Sequence, residues 1–392
     1  MVNRAESRPT EYVHITQLSA ADQASDKTSA LTEVLTFIDN HSIHSCSRLL
    51  LCFSLCCNTS ALQVSRLPLI PWWTVFNLCT QSKKMEHVSF PPLSRVAICG
   101  GTHGNELTGV YIVKEMQKQK VDKMGSVSMT TVMANPRAVD VCRRYTETDL
   151  NRCFTDALLS SPITDSTTYE LRRAQELNAQ LGPKGSDEAV DLLVDIHNTT
   201  ANMGICLIFY SLDWITLHIY KYIKDKMTSM PVRAIQLDIP LSDAYSLESV
   251  GKHGFAIEVG PQPHGVLRAD IFNMVKEAVD HTIAWLQEFN LGCTFQEGEV
   301  EAYTFVKSVD YPRNSSGEIT AAVHPELQDN DFKLLQPGDP MFLSFSGETV
   351  EHEGEAFYPF FVNECAYYEK KIAFHLARKT TFTFPSICVK KD

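Results

Sequence analysis

The sequence predicts an α/β fold, a sheet flanked by helices, followed by a smaller β-rich C-terminal domain. Three observations point to it. Short apolar runs closed by glycine or polar residues alternate with stretches of helical period between Arg95 and Phe289. Beyond about Cys293 the pattern changes to short alternating segments divided by Pro, Gly, Asn and Asp. The chain has 392 residues, 44% apolar and 21% charged, which is the composition of a globular protein large enough for a sizeable core.

Each element has its own signal. RVAICGG, from Arg95, is an apolar strand ending in two glycines, and ELTGVYIVKEMQKQ after it places Leu107, Val110, Tyr111 and Met116 on one helical face. VSMTTVMANP reads as a strand closed by Asn135 and Pro136, and YELRRAQELNAQLGP as a helix stopped by Gly182 and Pro183. DLLVDIH, GICLIFY and GFAIEVGP are buried strands. A helix from Leu267 to Phe289, with Ile271, Val275, Ala278, Val279, Ile283 and Leu286 at helical spacing, closes this part of the chain. EAYTFVKSVDYP, GEITAAVHP, PMFLSFSG and FYPFFVNECAYYEKKIAF are the strands of the second domain.

Residues 1–84 show neither helical period nor strand alternation, and Met85 reads as a natural start. The expected organisation is a poorly ordered extension over 1–84, a catalytic domain over 85–292 and a β-rich domain over 293–392. A regulatory or targeting tail is the other reading of the extension. No apolar signal opens the chain, and LLLCFSLCC is too short to span a bilayer, which needs about 20 apolar residues.

A formal net charge of −12 disfavours nucleic acid or an anionic membrane as the main partner, because either would need a basic field to offset its own negative charge. A small-molecule substrate is the expectation. Twelve cysteines without a CxxC or regular spacing indicate reduced thiols and a cytoplasmic protein.

The chemistry begins at GGTHGNELTG. His103 and Glu106 stand in the turn after the first strand, where open α/β sheets bind ligands. His197 ends a second strand at the same edge. Two histidines and a carboxylate from separate strand ends match the donor set of a catalytic zinc with one position left for water. The competing reading is a polar turn, and Asp195 is a candidate outer partner for a ligand imidazole. Glu258 lies inside the apolar strand FAIEVGP, either as a buried, paired glutamate or as a general base. RRYTETDLNR supplies Arg143, Arg144, Asn151 and Arg152, as a solvated loop or as a grip on a carboxylate and an oxyanion.

GGTHGNE, ANPRAV, RRY-x4-DLNR, DIHNTT and EVGPQPHGVLRAD together resemble, in order and spacing, the aspartoacylase family of zinc amidohydrolases over Arg95 to about Phe384. The resemblance implies a zinc-carboxypeptidase-like mixed sheet flanked by helices and a β-rich cap that narrows the channel. It implies one Zn2+ per chain on His103, Glu106 and His197, with Glu258 as general base and proton shuttle. Arg144 would polarise the scissile carbonyl, Asn151 and Arg152 would hold the substrate α-carboxylate, and Tyr367 of AYYEKK would reach in from the cap. It also implies a homo-oligomer.

The family divides between aspartoacylases, acting on N-acetylaspartate, and the aminoacylase III branch, acting on N-acyl aromatic amino acids and mercapturates. Aspartoacylases carry an arginine ten residues before the general base, whereas Glu248 stands there in this chain. A carboxylate would repel a second substrate carboxylate, so the expected activity is that of the aminoacylase III branch. An aspartoacylase is the alternative, with Glu248 then turned to solvent.

Overall fold

The computed structural model describes residues 86–120, 123–125 and 127–390. The expected extension over residues 1–84 therefore lies outside the described residues. The elements run, in chain order, β1 (Val88–Phe90), β2 (Arg95–Gly100), α1 (Leu107–Lys118), β3 (Lys123–Met124), β4 (Val127–Met133), α2 (Pro136–Asp140), α3 (Asp156–Leu159) and α4 (Tyr169–Leu181). They continue through β5 (Leu192–Asn198), β6 (Gly204–Phe209), α5 (Trp214–Lys226), β7 (Val232–Gln236), β8 (His253–Gly260) and α6 (Ala269–Asn290). Then come β9 (Gly298–Val309), β10 (Ala321–Val323), β11 (Pro340–Ser344), β12 (Thr349–Glu351), β13 (Tyr358–Phe360), β14 (Phe374–Phe384) and β15 (Ile387–Val389).

Ten of the strands form one mixed sheet in the order β13-β14-β9-β7-β6-β8-β5-β2-β4-β3. Neighbours β4, β2, β5 and β8 run parallel, and β6 pairs antiparallel with β8. Strand alternation sorts the side chains between two cores. Val96, Ile98, Leu192, Val194, Ile196, Phe255, Ile257 and Val259 pack with α5 and α6 on one face. Ala97, Cys99 and Leu193 pack with Ala174, Leu177 and Leu181 of α4 on the other. The same period of two sends Asp195, His197 and Glu258 to the α4 face, and the β5/β8 register sets His197 beside Glu258.

The helices begin and end as their side chains dictate. Asn135 accepts from Ala138 N ahead of Pro136, which starts α2, and Thr168 accepts from Leu171 N to cap α4, which stops at Gly182. Asp213 accepts from the N–H groups of Ile215 and Thr216 and so starts α5, which the periodicity of the sequence did not single out. Tyr111 departs from expectation. It is 40% exposed, while Thr108, Val110, Ile112 and Val113 form the buried face of α1. Gly109 lets α1 lie flat on β5, since a Cβ there would come within 2.6 Å of Ile196 O, and the buried face turns accordingly.

The strands beyond Cys293 do not stand apart from the first sheet. β9 pairs parallel with β7 through Ile235 and Gln236, and β14 runs antiparallel to β9 along its length. A second small sheet, β10-β11-β12, covers its own apolar cluster around Phe342, Phe357 and Phe374. No helix among the described residues is long and apolar enough to cross a membrane.

Candidate active site

The turn after β2 carries the first two functional side chains. Gly101 takes φ +70°, a conformation that L side chains rarely adopt, and Gly104 packs so close to Ala138 that a Cβ would lie 2.0 Å from its carbonyl carbon. The chain is thereby folded back so that His103 and Glu106 face the end of β5. Glu106 precedes α1 without capping it, leaving its carboxylate free to turn inward.

His103, Glu106 and His197 converge, each with a donor atom within 4.8 Å of the others. Glu106 Oε1 lies 2.7 Å from His103 Nδ1, Glu106 Oε2 lies 2.8 Å from His197 Nδ1, and the two Nδ1 atoms are 3.1 Å apart. The far nitrogens settle the tautomers. His103 Nε2–H donates to Asp149 Oδ1 at 3.0 Å and His197 Nε2–H to Asp195 Oδ2 at 2.8 Å. Both Nδ1 atoms then present lone pairs toward each other and toward a carboxylate. Four acceptors facing one another in a buried place require a cation among them, so the residues fit a metal ion with outer carboxylates orienting the imidazoles. Thr102 Oγ1 holds Asp195 in turn. Burial opposes positive charge at His197, but Asp195 and then Glu106 favour it, so the centre attracts a proton or, in its place, a metal cation. Burial also opposes ionisation of Glu106, yet His103 and His197 hold it well below the ordinary range.

A cavity of about 360 Å³ opens from this point, lined by nine of the residues singled out in the sequence; Arg143, which is exposed, and Asp195, buried behind His197, are not among them. Glu258 lies in its wall with Oε1 unpartnered, and burial, followed by the charge of Glu106, pushes its carboxyl well above the usual range. Arg144 donates from Nη1 to Glu106 Oε1 and from Nε to Asp149 Oδ2, both at 3.2 Å. Asn151 accepts from Leu247 N at 3.1 Å, and Arg152 lies 4.5 Å from the ring centre of Tyr245. Tyr367 enters from the short helical turn Cys365–Lys370. Glu248 is 2% exposed, so the solvent-facing reading of this residue is excluded. Burial, with Asp195 adding, raises its carboxyl to about 7.

The match to family models decides the lineage. Residues 92–286 match the succinylglutamate desuccinylase/aspartoacylase catalytic domain, and residues 298–379 match the AstE/AspA barrel-sandwich hybrid domain. The chain belongs to the succinylglutamate desuccinylase/aspartoacylase family. Within that family it is 60% identical over 314 residues to N-acyl-aromatic-L-amino acid amidohydrolase (carboxylate-forming) B of Danio rerio, covering 79% of this chain and all of the relative. It is 44% identical to aspartoacylase of Mus musculus, over 76% of this chain and 97% of that one. The crystal structure of murine aminoacylase 3 superposes with a TM-score of 0.75 at 43% identity, over 76% of this chain and 100% of that chain.

Several residues of this family member's site escaped the reading of the sequence. Asp149 binds His103, Arg144, Asn151 N and, at 2.7 Å, Lys370 Nζ. Burial opposes its charge, but His103 and then Arg144 hold it far below the ordinary carboxylate range. Glu364 accepts from Thr199 Oγ1, Thr200 N and Thr200 Oγ1, which ties the AYYEKK turn to DIHNTT. His375 lines the cavity and stays neutral, lowered to about 3 by burial, then by Arg152 and Lys370. Asp149 and Lys370 stand inside the motifs DLNR and AYYEKK, and that position was their only signal. Nothing in the sequence marked His375.

Proposed function

We propose that this protein hydrolyses the amide bond of N-acyl, mainly N-acetyl, amino acids with aromatic side chains or S-substituted cysteine, releasing a carboxylate and a free amino acid. One zinc ion per chain is held by His103, Glu106 and His197. The observation that carries the reading is the convergence of these three ligands beside an unpartnered Glu258 and a guanidinium. At such a site zinc supplies Lewis acidity to water and to a carbonyl.

The chain's own residues do the rest. Glu258, kept basic enough by its enclosed position, takes the proton of the attacking water and passes it to the leaving amine. Arg144, whose guanidinium is anchored by Asp149, faces the oxygen on which negative charge develops. Asn151 and Arg152 hold the α-carboxylate, and Tyr367 closes over it. The cations lining the cavity are Arg144, Arg152 and Lys370, none of them on the segment that bears Glu248. That distribution supports an aromatic over an aspartate side chain, and the identity to the zebrafish amidohydrolase supports it further.

The remaining parts of the reading follow the same likeness. Residues 85–292 form the catalytic domain and 293–392 its cap, and the chain works as a cytoplasmic homo-oligomer. Light scattering tests the last point. Seven free cysteines among the described residues suit a reducing compartment. The decisive experiment is metal content measured together with rates on N-acetyltyrosine, an N-acetyl-S-arylcysteine and N-acetylaspartate. One zinc per chain with turnover of the first two supports the proposal. Preference for N-acetylaspartate would keep the mechanism and overturn the substrate, and neither zinc nor turnover would overturn the enzyme.

A further inference from the structure

Glu248 ends a hydrogen-bond chain with a definite direction. Tyr210 Oη accepts the N–H groups of Tyr245 and Ser246 at 3.2 and 3.1 Å, so its own hydrogen is left for Ser246 Oγ, 2.5 Å away. Ser246 Oγ then donates to Glu248 Oε1 at 2.5 Å. Oε1 is therefore an acceptor already in use. Oε2 has no partner, although the residue is all but fully buried and belongs to the cavity wall. Buried polar atoms are rarely left so, and the exceptions call for an occupant.

The segment that bears Glu248 is joined to the residues assigned to the α-carboxylate. Leu247 N donates to Asn151 Oδ1, and the Tyr245 ring lies under the Arg152 guanidinium. A substrate with its carboxylate on Asn151 and Arg152 and its amide at the metal ligands sends its side chain from the same carbon along Tyr245, Ser246 and Glu248. Ile208, Leu237 and Tyr210 supply apolar walls on that path.

We infer that Glu248 Oε2 is the hydrogen-bonding end of the side-chain pocket, selecting aromatic side chains that carry a hydroxyl or a ring N–H over unsubstituted phenyl. The inference rests on the aminoacylase reading above and names its preferred substrates. A phenol completes the chain from Tyr210, because its O–H donates to Oε2. A phenyl ring would seal Oε2 in without a partner, a loss that sites built for a hydroxyl convert into discrimination.

The test is direct binding to the zinc-loaded Glu258→Gln protein, by calorimetry, of N-acetyltyrosine, N-acetylphenylalanine and N-acetyl-4-methoxyphenylalanine. N-acetyltyrosine is expected to bind roughly tenfold more tightly than N-acetylphenylalanine. The methyl ether should lose that advantage. Adding Glu248→Met, which keeps the length and removes the oxygens, should bring the ratio to about one by weakening the tyrosine ligand alone. Equal affinities for tyrosine and phenylalanine before that change overturn the inference, whether or not the Met variant folds. So does an unchanged ratio after it. Turnover of both substrates at one rate by the unmutated enzyme, with equal affinities, would leave the aminoacylase reading standing and remove this inference alone. Absence of both binding and turnover would remove both.

Discussion

Glu258 and Glu248 stand ten residues apart, and burial raises the carboxyls of both, yet their surroundings differ. Glu258 faces the metal ligands with a free oxygen. Its replacement by Gln should lower turnover by about 10²- to 10⁴-fold while metal content, read by atomic absorption, stays at one per chain. Near-normal turnover would show that the base lies elsewhere. Asp195 acts through His197, so Asp195→Asn is expected to weaken metal binding by about 10- to 100-fold in a chelator competition. Unchanged affinity would mean that the His197 tautomer needs no outer carboxylate. Glu248 has a stability signature as well. Its folded value of about 7 is above the ordinary 4.5, so its contribution is fully present below pH 4.5 and is lost as pH rises through 7. Glu248→Gln should therefore be more stable than the unmutated protein at pH 8, by on the order of 3 kcal/mol, and lose that advantage toward pH 4.5. Denaturant titrations at the two pH values measure the difference, and a pH-independent difference would refute it.

At the scale of elements, the alternation of strands β5 and β8 explains why the site was partly legible. Counting by twos from Leu193 and Ala256 places Asp195, His197 and Glu258 on one face, and the parallel register then aligns His197 with Glu258. The turn Cys365–Lys370 was legible only as a motif. Glu364 fastens it to Thr199 and Thr200, and Lys370 fastens it to Asp149, contacts between residues more than 160 positions apart. The Glu364 carboxyl is opposed by burial but held at about 2, chiefly by His264 and then Thr199. Because that value is depressed, its stabilisation is present above pH 4.5 and disappears as pH falls through 2. Glu364→Ala should cost about 3 kcal/mol at neutral pH, with Tyr367 withdrawn and KM raised, as denaturation and steady-state rates would show. Unaltered stability and KM would mean that the turn holds its place without this carboxylate.

For the whole molecule, the metal and the fold should stabilise each other. The lone pairs of His103 and His197 and the Glu106 carboxylate meet in a buried centre, so a cation that binds only the folded chain raises its stability. A hundredfold excess of free zinc over its dissociation constant should add about 2.7 kcal/mol, seen as a rise in Tm that continues with the logarithm of the free zinc concentration. A Tm indifferent to zinc and to chelator would argue that the centre holds none.

The amino-acid sequence by itself determined the α/β class and the change to short strands near Cys293, because periodicity records which side of an element is buried, while of the nine candidate residues that line the cavity Tyr367 and Glu248 were named only through the resemblance to the family. It also placed a carboxylate ten positions before Glu258. Only the tertiary structure decided that the C-terminal strands extend the first sheet through β7, since strand pairing over long separations leaves no local trace. The tertiary structure likewise decided that Asp149 would serve His103, Arg144 and Lys370 together, and that Tyr210 would orient Ser246 toward Glu248. Hydrogen bonds have direction and partners only when remote segments meet, and a linear pattern carries neither.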